Sequence, residues 1–209
     1  MPPLVLAAAV EAPVIAETAV AAGAALWTWM SSTAGVATLG AIAAIAGEEA
    51  ARRRAEQLLR DNTYSDVCLS CAIKCQALAC GVPGSKYRGG AHWCTSLPKN
   101  DGLVSHHTPA QNAYKNLPPG GGYLPPDLGP AIQMDPADHY QTATNPTSGP
   151  NWVSAQAAQT ALISSGNWMG ATALDVADLQ SPKFHHKYDA AIAQMAAYTA
   201  CMKAAGAIK

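Results

Sequence analysis

The chain has 209 residues, 49% of them hydrophobic and only 13% charged, and its net charge is −1. Soluble domains usually carry about 25% charged residues, so charge is scarce here. A near-neutral chain has no global field that would draw in nucleic acid, so binding of a polyanion must depend on a local patch or a metal ion. The length fits one compact domain with an appendage, or two small domains.

Near the N-terminus, thirty successive residues, 18–47, carry no charged side chain. The segment is rich in Ala and Gly, and three consecutive arginines follow it at 52–54. Because roughly twenty apolar residues can cross a bilayer, this pattern indicates either membrane contact or insertion, or a buried Ala-rich helical hairpin. A secretory signal fits poorly, since the segment is too long and no Lys or Arg precedes it. We assign residues 1–50 to this hydrophobic, Ala/Gly-rich helical segment.

The six cysteines follow this segment, at Cys68, Cys71, Cys75, Cys80, Cys94 and Cys201. The first three are spaced i, i+3 and i+7, which places them on one face of a predicted helix. Disulfide bonds, a zinc site and reduced core thiols are three readings of this set. Disulfides are favoured, because a bond to the distant last cysteine would close a long loop and only one CxxC pair is present. Residues 51–99 are assigned to a cysteine-containing helical linker region.

Helical patterns return after a Gly/Pro-rich stretch at 81–150, which predicts loops with short elements between them. One helix is predicted to end at Gly166 and a second to end before Ser181–Pro182. The last helix carries an apolar stripe at 3 and 4 spacing that predicts core packing. The stripe consists of Ala191, Ile192, Met195, Tyr198 and Met202.

Two adjacent histidines, His106 and His107, lie between an apolar dipeptide and Thr108–Pro109. The apolar dipeptide predicts a short strand that ends at the histidines, because proline does not continue a ladder. Neighbouring residues of a strand point to opposite faces. Both histidines can therefore serve one site only if the strand frays into a loop at that point.

A second strand is predicted at the segment PAIQM, and DPADHYQT predicts a helix start. Asp135 is placed as the N-cap, Pro136 in the first turn and His139 one turn in. The order of strand, histidine pair, long loop, strand and histidine-bearing helix is that of a ββα metal finger. We predict a mainly α fold with a small ββα metal finger, an α+β arrangement, in residues 100–209.

Phosphodiester hydrolysis needs an activated water, charge stabilisation on the phosphate and help for the departing 3′ oxygen. A histidine whose pKa lies near neutrality can deprotonate the water. A divalent cation held by the other member of the pair and by His139 can act as a Lewis acid. The residue types therefore suit metal-assisted phosphodiester hydrolysis.

These motifs, SHH followed by TP and later DHYQT at a helix start, resemble those of the HNH/endonuclease VII (His-Me finger) nucleases. The resemblance covers roughly residues 100–200 and is strongest to the SHH- and GHH-signature toxin domains of bacterial polymorphic toxins and type VI secretion effectors. It implies that His107 is the base, that His106 and His139 bind metal, and that Asp135 and Asp138 are candidates to complete the metal site. Asp135 is also read as a plain N-cap.

The resemblance also implies an antibacterial toxin that is delivered into target bacterial cells and cleaves DNA in their cytoplasm. Mg²⁺ is the expected cation, with Zn²⁺, Mn²⁺ or Ni²⁺ as alternatives. The implied partners are a cognate immunity protein, a secretion chaperone or delivery component at the hydrophobic N-terminal segment, and the target membrane during entry.

Few basic side chains are available for phosphate contact. The candidates are Lys99, Lys115, Lys183 and Lys187, with the histidine pair His185 and His186 read either as a surface feature at a helix start or as a phosphate contact. His92 is predicted only to pack beside Trp93.

Two other function classes stay open, a membrane-permeabilising toxin acting through residues 18–47 and a non-catalytic binding module stapled by disulfides or zinc.

Overall fold

The fold is taken from a computed structural model that describes residues 66–209, with side chains from residue 70 onward. The predictions for residues 1–50 and 18–47, and for the side chain of Cys68, lie outside the described residues. Helices dominate the described part, where six α-helices surround a small three-stranded antiparallel sheet. The prediction of a mainly helical α+β fold is confirmed at this level.

A nine-residue helix comes first, the strands and two four-residue helices follow, and the three longest helices of the described part come last. The elements in chain order are α1 (Asp66–Lys74), β1 (Gly89–Ala91), α2 (His92–Thr95), β2 (Val104–His107), β3 (Pro130–Met134), α3 (Pro136–His139), α4 (Trp152–Ser164), α5 (Trp168–Leu179) and α6 (Asp189–Ala204). Single 3-10 turns lie at Gln76–Leu78, Gln111–Ala113, Pro126–Leu128 and Pro182–Phe184. No helix among the described residues is long and apolar enough to cross a membrane.

The sheet has the order β1-β3-β2, and both pairings are antiparallel. The central strand β3 is buried along its whole length. On its other side β2 pairs His106 with Ile132 and His107 with Ala131, so the strand continues through both histidines. The expectation that the chain frays at the histidines is wrong. Instead β2 is the outer strand of the sheet, and its second edge is open to side chains from other elements.

The third strand, β1, was not predicted, because a pair of glycines is a poor strand signal. Its glycines are explained by close packing on both sides. A Cβ at Gly89 would collide with the carbonyl of Ala191 in α6, and a Cβ at Gly90 would collide with the carbonyl of Ala79. The segment 66–99, assigned from sequence to a linker region, contributes β1 and α2 to the same sheet-centred fold as the residues after 99.

The helix boundaries follow the sequence signals. Asp135 occupies the N-cap of α3 with an extended backbone, and Pro136 is the first helical residue, although the Asp135 carboxylate makes no capping hydrogen bond. α4 ends at Ser164, and Gly166 then adopts φ +82°, the left-handed conformation that favours glycine after a helix. α5 ends at Leu179, three residues before Pro182.

The last helix, α6, packs along the sheet and supplies much of the core. All five residues of the predicted stripe, Ala191, Ile192, Met195, Tyr198 and Met202, are buried, so the core-packing prediction is confirmed. α4 and α5 form an antiparallel hairpin beside it. Its first helix also packs on the Gln111–Ala113 turn that follows β2, so the hairpin borders the region of the histidines.

Four of the six cysteines form two disulfide bonds. Cys75 is joined to Cys201, 126 residues away, and Cys80 is joined to Cys94 across 14 residues. The first bond ties the end of α1 to α6, and the second fixes α2. In the chain-entropy treatment of the unfolded state, loops of these lengths contribute about 5 and about 3 kcal/mol respectively. The zinc reading does not apply to these four sulfurs, which are used in the bonds.

Candidate functional site

A cleft of about 310 Å³ opens beside the free edge of β2, between α2, α3 and the first turns of α4. We call it the histidine cleft. Four of the chain's six histidines line it, together with several amide side chains. The histidines are His92, His106, His107 and His139, and the amides are Gln111, Asn112, Asn145 and Gln156. The three histidines predicted to share a site are therefore brought together, and a fourth joins them.

His106 faces α3, and its ring meets the His139 ring edge to face with centroids 5.3 Å apart. The His106 side chain is buried, and among the described residues its Nε2 has no hydrogen-bond partner. A buried nitrogen without a partner costs about 1–3 kcal/mol, so such an atom in a cleft indicates a ligand that completes it. Of the described side chains that line the cleft, His106 is the one with a buried nitrogen, Nε2, that lacks a partner. A metal ion or a proton donor would pair with this nitrogen when it carries the lone pair.

His107 lies on the other face of β2 and is held by the main chain. Its Nε2 is 3.1 Å from the carbonyl oxygen of Pro126, in the turn before β3. A carbonyl can only accept, so Nε2 carries the proton and Nδ1 carries the lone pair. The His107 ring is therefore oriented with one nitrogen as an anchor and the other as a base.

His92 is the histidine of the cleft that the sequence did not predict. Its ring stacks on His107 with centroids 4.0 Å apart and planes 26° from parallel. The prediction that it only packs beside Trp93 is wrong, because Trp93 is buried and the imidazole of His92 turns into the cleft at the first position of α2. Only the scarcity of histidine in this chain could have drawn attention to it, since nothing in the motif GGAHW indicates a site.

His139 is fixed by a chain of polar contacts at the end of α3. The Asn145 amide nitrogen lies 3.1 Å from His139 Nδ1, and the Asn145 carbonyl oxygen accepts from the backbone and hydroxyl of Thr147 at 2.9 and 2.7 Å. These contacts set the amide so that it donates to Nδ1. His139 can therefore give a lone pair to a metal only after this hydrogen bond is exchanged.

Burial keeps the imidazoles of the cleft neutral. It lowers the pKa of His106 to about 3, with further lowering from His139 and His107. It also lowers the pKa of His107 to about 3, with the neighbouring His92 as the next cause and the bond to Pro126 opposing. Burial lowers the pKa of His92, against the attraction of Asp127, and that of His139 as well. Neutral imidazoles are the form that can act as bases or bind metal ions.

The candidate ligands Asp135 and Asp138 do not line the cleft. Both carboxylates contact Lys187, at 2.6 and 2.8 Å, and each accepts a hydrogen bond from a tyrosine, Tyr87 at 2.9 Å and Tyr188 at 2.5 Å respectively. Asp135 is the N-cap with an extended backbone, so helical spacing does not place it beside His139, and Asp138, the neighbour of His139, points in another direction. α3 therefore presents His139 to the cleft and its acids to α6. We correct the ligand prediction accordingly, because these acids clamp α3 to the start of α6.

The charges in this clamp reinforce one another. The hydrogen bond from Lys187 is the main cause that lowers the pKa of Asp135. Partial burial opposes charge on Asp138, but its hydrogen bonds from Lys187 and Tyr188 outweigh that effect and lower the pKa. The same two carboxylates raise the pKa of Lys187. All three side chains are therefore ionised at neutral pH.

The candidate phosphate contacts fall into two groups. Lys183 pairs with Asp178 at 2.6 Å and Lys187 belongs to the clamp, so both are committed to acids. Lys115 lies close enough to His107 to influence its protonation, and Lys99 is exposed. The second histidine pair, His185 and His186, is exposed and adopts left-handed φ values of 50° and 56°, so it is a surface feature just before α6. Neither of these two histidines lines the histidine cleft.

The loop after His107 is supported from behind by buried polar groups. The backbone N–H of Ala110 donates to the Gln159 side chain at 3.0 Å, and Gln159 is buried in α4. Behind it, Asp175 of α5 is buried, and burial raises its pKa to about 8. A neutral carboxyl at this position avoids placing a charge behind the cleft at pH 7.

Among the described residues, no group of three or more His, Cys, Asp or Glu side chains is arranged to hold a metal ion. The pair His106 and His139 meets one condition for sharing an ion, the distance between the two ring centres. With metal–nitrogen bonds of about 2.1 Å, two imidazoles that share an ion have ring centres roughly 5 Å apart. The observed separation is 5.3 Å.

Comparisons of this chain with protein-family models, with curated proteins and with solved structures found no match.

Proposed function

We propose that the protein is a metal-dependent endonuclease that hydrolyses phosphodiester bonds of DNA in the histidine cleft. The observation that carries the proposal is the convergence of His106, His107 and His139, with the buried Nε2 of His106 left without a partner. The order β2, β3, α3 is that of a ββα metal finger, and we propose that these elements act as one.

In this proposal His107 is the general base. Its Nε2–H is anchored on the carbonyl of Pro126, and its Nδ1 is free to take a proton from a water molecule. The water oxygen then forms a bond to phosphorus while the bond to the 3′ oxygen breaks. An oriented base contributes about 10²- to 10⁴-fold to the rate when its pKa lies near the working pH. The pKa of His107 is about 3 without substrate, so this proposal requires the negative charge of a bound phosphate to raise it.

His106 and His139 fit a divalent cation, since both are neutral, they are suitably spaced, and one has an orphaned nitrogen. Mg²⁺ is the ion that the resemblance implies, but imidazole ligands without carboxylates suit Zn²⁺ or Ni²⁺ better, so the proposal includes these ions and Mn²⁺ beside Mg²⁺. When bound, the ion supplies Lewis-acid stabilisation of the charge on the phosphate. Asn145 would release His139 Nδ1 as the ion binds.

DNA binding in this proposal depends on few charges. Lys115 near His107 and the exposed Lys99 are the basic candidates, while the amides of Gln111 and Asn112 lie at the cleft and can donate to phosphate oxygens. With so few phosphate contacts, binding should vary little with salt.

The biological setting that we propose follows from the resemblance to His-Me finger toxins. The protein would be a delivered antibacterial effector that acts in the cytoplasm of the target cell and is neutralised by a cognate immunity protein in the producer. Residues 18–47 would serve passage across the target membrane or bind a secretion chaperone. Thirty successive uncharged residues also favour the second candidate, a membrane-permeabilising toxin.

The deciding experiment is plasmid cleavage by the full chain with Mg²⁺, with EDTA, and with His107→Ala beside the parent. Cleavage that requires metal and falls by about a thousandfold in His107→Ala supports the nuclease. An intact plasmid with folded parent protein in Mg²⁺, Mn²⁺, Zn²⁺ and Ni²⁺ alike would reject it. Release of dye from lipid vesicles by the parent and by His107→Ala alike would then favour the membrane-active candidate.

A further inference from the structure

We propose that His92 is a second catalytic histidine, which orients the attacking water together with His107. This inference rests on the proposed nuclease function and assigns a role in the same cleft to a residue that no motif indicates. Its basis is the geometry of the ring stack and of the hydrogen bonds that fix the His92 ring.

The stack brings the two imidazoles together over the cleft. Their centroids are 4.0 Å apart and their planes 26° from parallel. Residues with purely structural roles rarely place two half-buried neutral imidazoles side by side, because each ring carries a lone pair that needs a proton donor. A molecule bound in the cleft could donate a proton to both lone pairs.

A chain of hydroxyl groups sets which nitrogen of His92 carries the proton. The Thr95 hydroxyl donates to the carbonyl oxygen of Ala91 at 3.2 Å. In the hydrogen-bond orientation that we propose, this hydroxyl accepts from the Ser105 hydroxyl at 2.6 Å, and Ser105 in turn accepts from His92 Nδ1 at 2.8 Å. The proton of His92 is thus on Nδ1, and the lone pair is on Nε2.

With Nδ1 of His92 bonded to Ser105 and Nε2 of His107 bonded to Pro126, the lone pair of each ring is on its other nitrogen. His92 Nε2 and His107 Nδ1 each have no hydrogen bond to the described residues, and both rings line the cleft. One water molecule has two protons, so it can donate one to each nitrogen. A water held in this way has its oxygen lone pairs turned away from the imidazoles, toward the space where a phosphate would lie.

The step balances with both residues present. The water oxygen forms the new bond to phosphorus, and its first proton passes to His107 Nδ1. Its second proton stays on the oxygen, hydrogen-bonded to His92 Nε2, and leaves with the phosphate product. The bond from phosphorus to the 3′ oxygen breaks, and this oxygen takes the bonding pair and a proton from solvent.

The test compares His92→Phe with the parent in Mg²⁺-dependent plasmid cleavage. Phenylalanine keeps an aromatic ring to stack on His107 but has no acceptor nitrogen. We expect kcat to fall about a hundredfold while KM for plasmid and the Mg²⁺ dependence stay within twofold. Ser105→Ala, which releases the His92 ring without removing it, should lose about tenfold. Parent-like cleavage by folded His92→Phe would overturn the inference and leave the nuclease proposal intact.

A second measurement does not depend on activity. Long-range proton–nitrogen NMR of the ¹⁵N-histidine-labelled parent reports which ring nitrogen carries the proton. We expect the proton of His92 on Nδ1 and that of His107 on Nε2. A proton on Nε2 of His92 overturns the inference alone. A parent that cleaves no DNA under any condition rejects the nuclease proposal, and with it any role of His92 in that reaction.

Discussion

The molecule contains the dipeptide His-His twice, in opposite surroundings. His106–His107 is extended in the outer strand of the sheet, largely withdrawn from water and turned to the histidine cleft. His185–His186 follows a 3-10 turn, adopts left-handed backbone angles and is exposed, and His186 Nδ1 lies 3.3 Å from the Asp189 carboxylate. The comparison teaches that a histidine pair becomes a candidate site when its rings are buried and their nitrogens are held by hydrogen bonds. The dipeptide sequence alone does not show either property.

The largest expected difference between the two pairs is in catalysis. His106→Ala/His107→Ala should lose at least a thousandfold in plasmid cleavage, because it removes both the proposed base and a proposed metal ligand. The matched variant His185→Ala/His186→Ala should stay within threefold of the parent. Gel assays over a range of enzyme concentrations measure both. A comparable loss in the second variant would show that the exposed pair contacts the substrate.

The second difference is in stability toward acid. The pKa values of His106 and His107 are about 3 when folded, against about 6.5 in an unfolded chain. Below pH 6.5 the unfolded chain therefore binds protons that the folded chain does not, and stability falls as the pH drops toward 3. Between pH 7.5 and pH 5 we expect each histidine to cost about 2 kcal/mol of unfolding free energy.

Urea unfolding in EDTA at the two pH values measures this loss. His106→Gln, which cannot be protonated, should reduce the fall contributed by the buried pair from about 4 to about 2 kcal/mol. Asp175, whose pKa burial raises to about 8, gains stability over the same pH range, so the comparison is between the parent and His106→Gln, in which that gain cancels. An equal change in both proteins would show that the His106 imidazole is accessible to protons in the folded state.

Lys187 directly follows the exposed pair His185–His186. It contacts Asp135 and Asp138 and so holds α3, the helix that carries His139 into the cleft. Lys187→Gln should lower the unfolding free energy by roughly 1 kcal/mol, because a partly exposed network of this kind is screened by solvent. The effect should shrink in 1 M NaCl. Lys203→Gln, a change at the exposed far end of α6, serves as the control and should have no effect. Equal losses in the two variants would contradict the clamp.

The smallest difference is in backbone conformation. His185→Gly should raise the unfolding free energy by about 0.5–1 kcal/mol, because φ +50° costs a residue with a Cβ more than it costs glycine. His185→Ala keeps the Cβ and should give no gain. In the extended strand β2 the corresponding His106→Gly should destabilise instead. Thermal unfolding of the three variants decides the sign.

Much of the local structure could be predicted from the sequence, because short-range signals determine it. The strand before Thr108–Pro109 and the Asp135–Pro136 helix start each depend on a proline, which allows few backbone conformations. The stop at Gly166 depends on the left-handed conformation, which glycine adopts more readily than other residues. The stripe on α6 was read correctly for the same reason, since helical spacing sets which residues share a face.

The parts that were missed depend on long-range packing. β1 is a strand because its backbone pairs with β3, and it consists largely of glycine because the carbonyls of Ala79 and Ala191 leave no room for a Cβ. His92 belongs to the cleft because β1 carries α2 across the sheet to the free edge of β2. Asp135 and Asp138 were candidate ligands by proximity in sequence, and Lys187, about fifty residues later, takes them instead. These contacts join residues far apart in the sequence, so no local sequence pattern predicts them.

The bond between Cys75 and Cys201 gives the described fold one more property. It makes a covalent ring of the chain from the end of α1 to the last helix, and the exposed Pro118–Pro119–Gly120 turn lies within that ring. A protease that cuts once at this turn converts the chain into two polypeptides that cannot separate. The cut protein would migrate as one band without reductant and as two with it, so nicking alone does not disassemble the cleft.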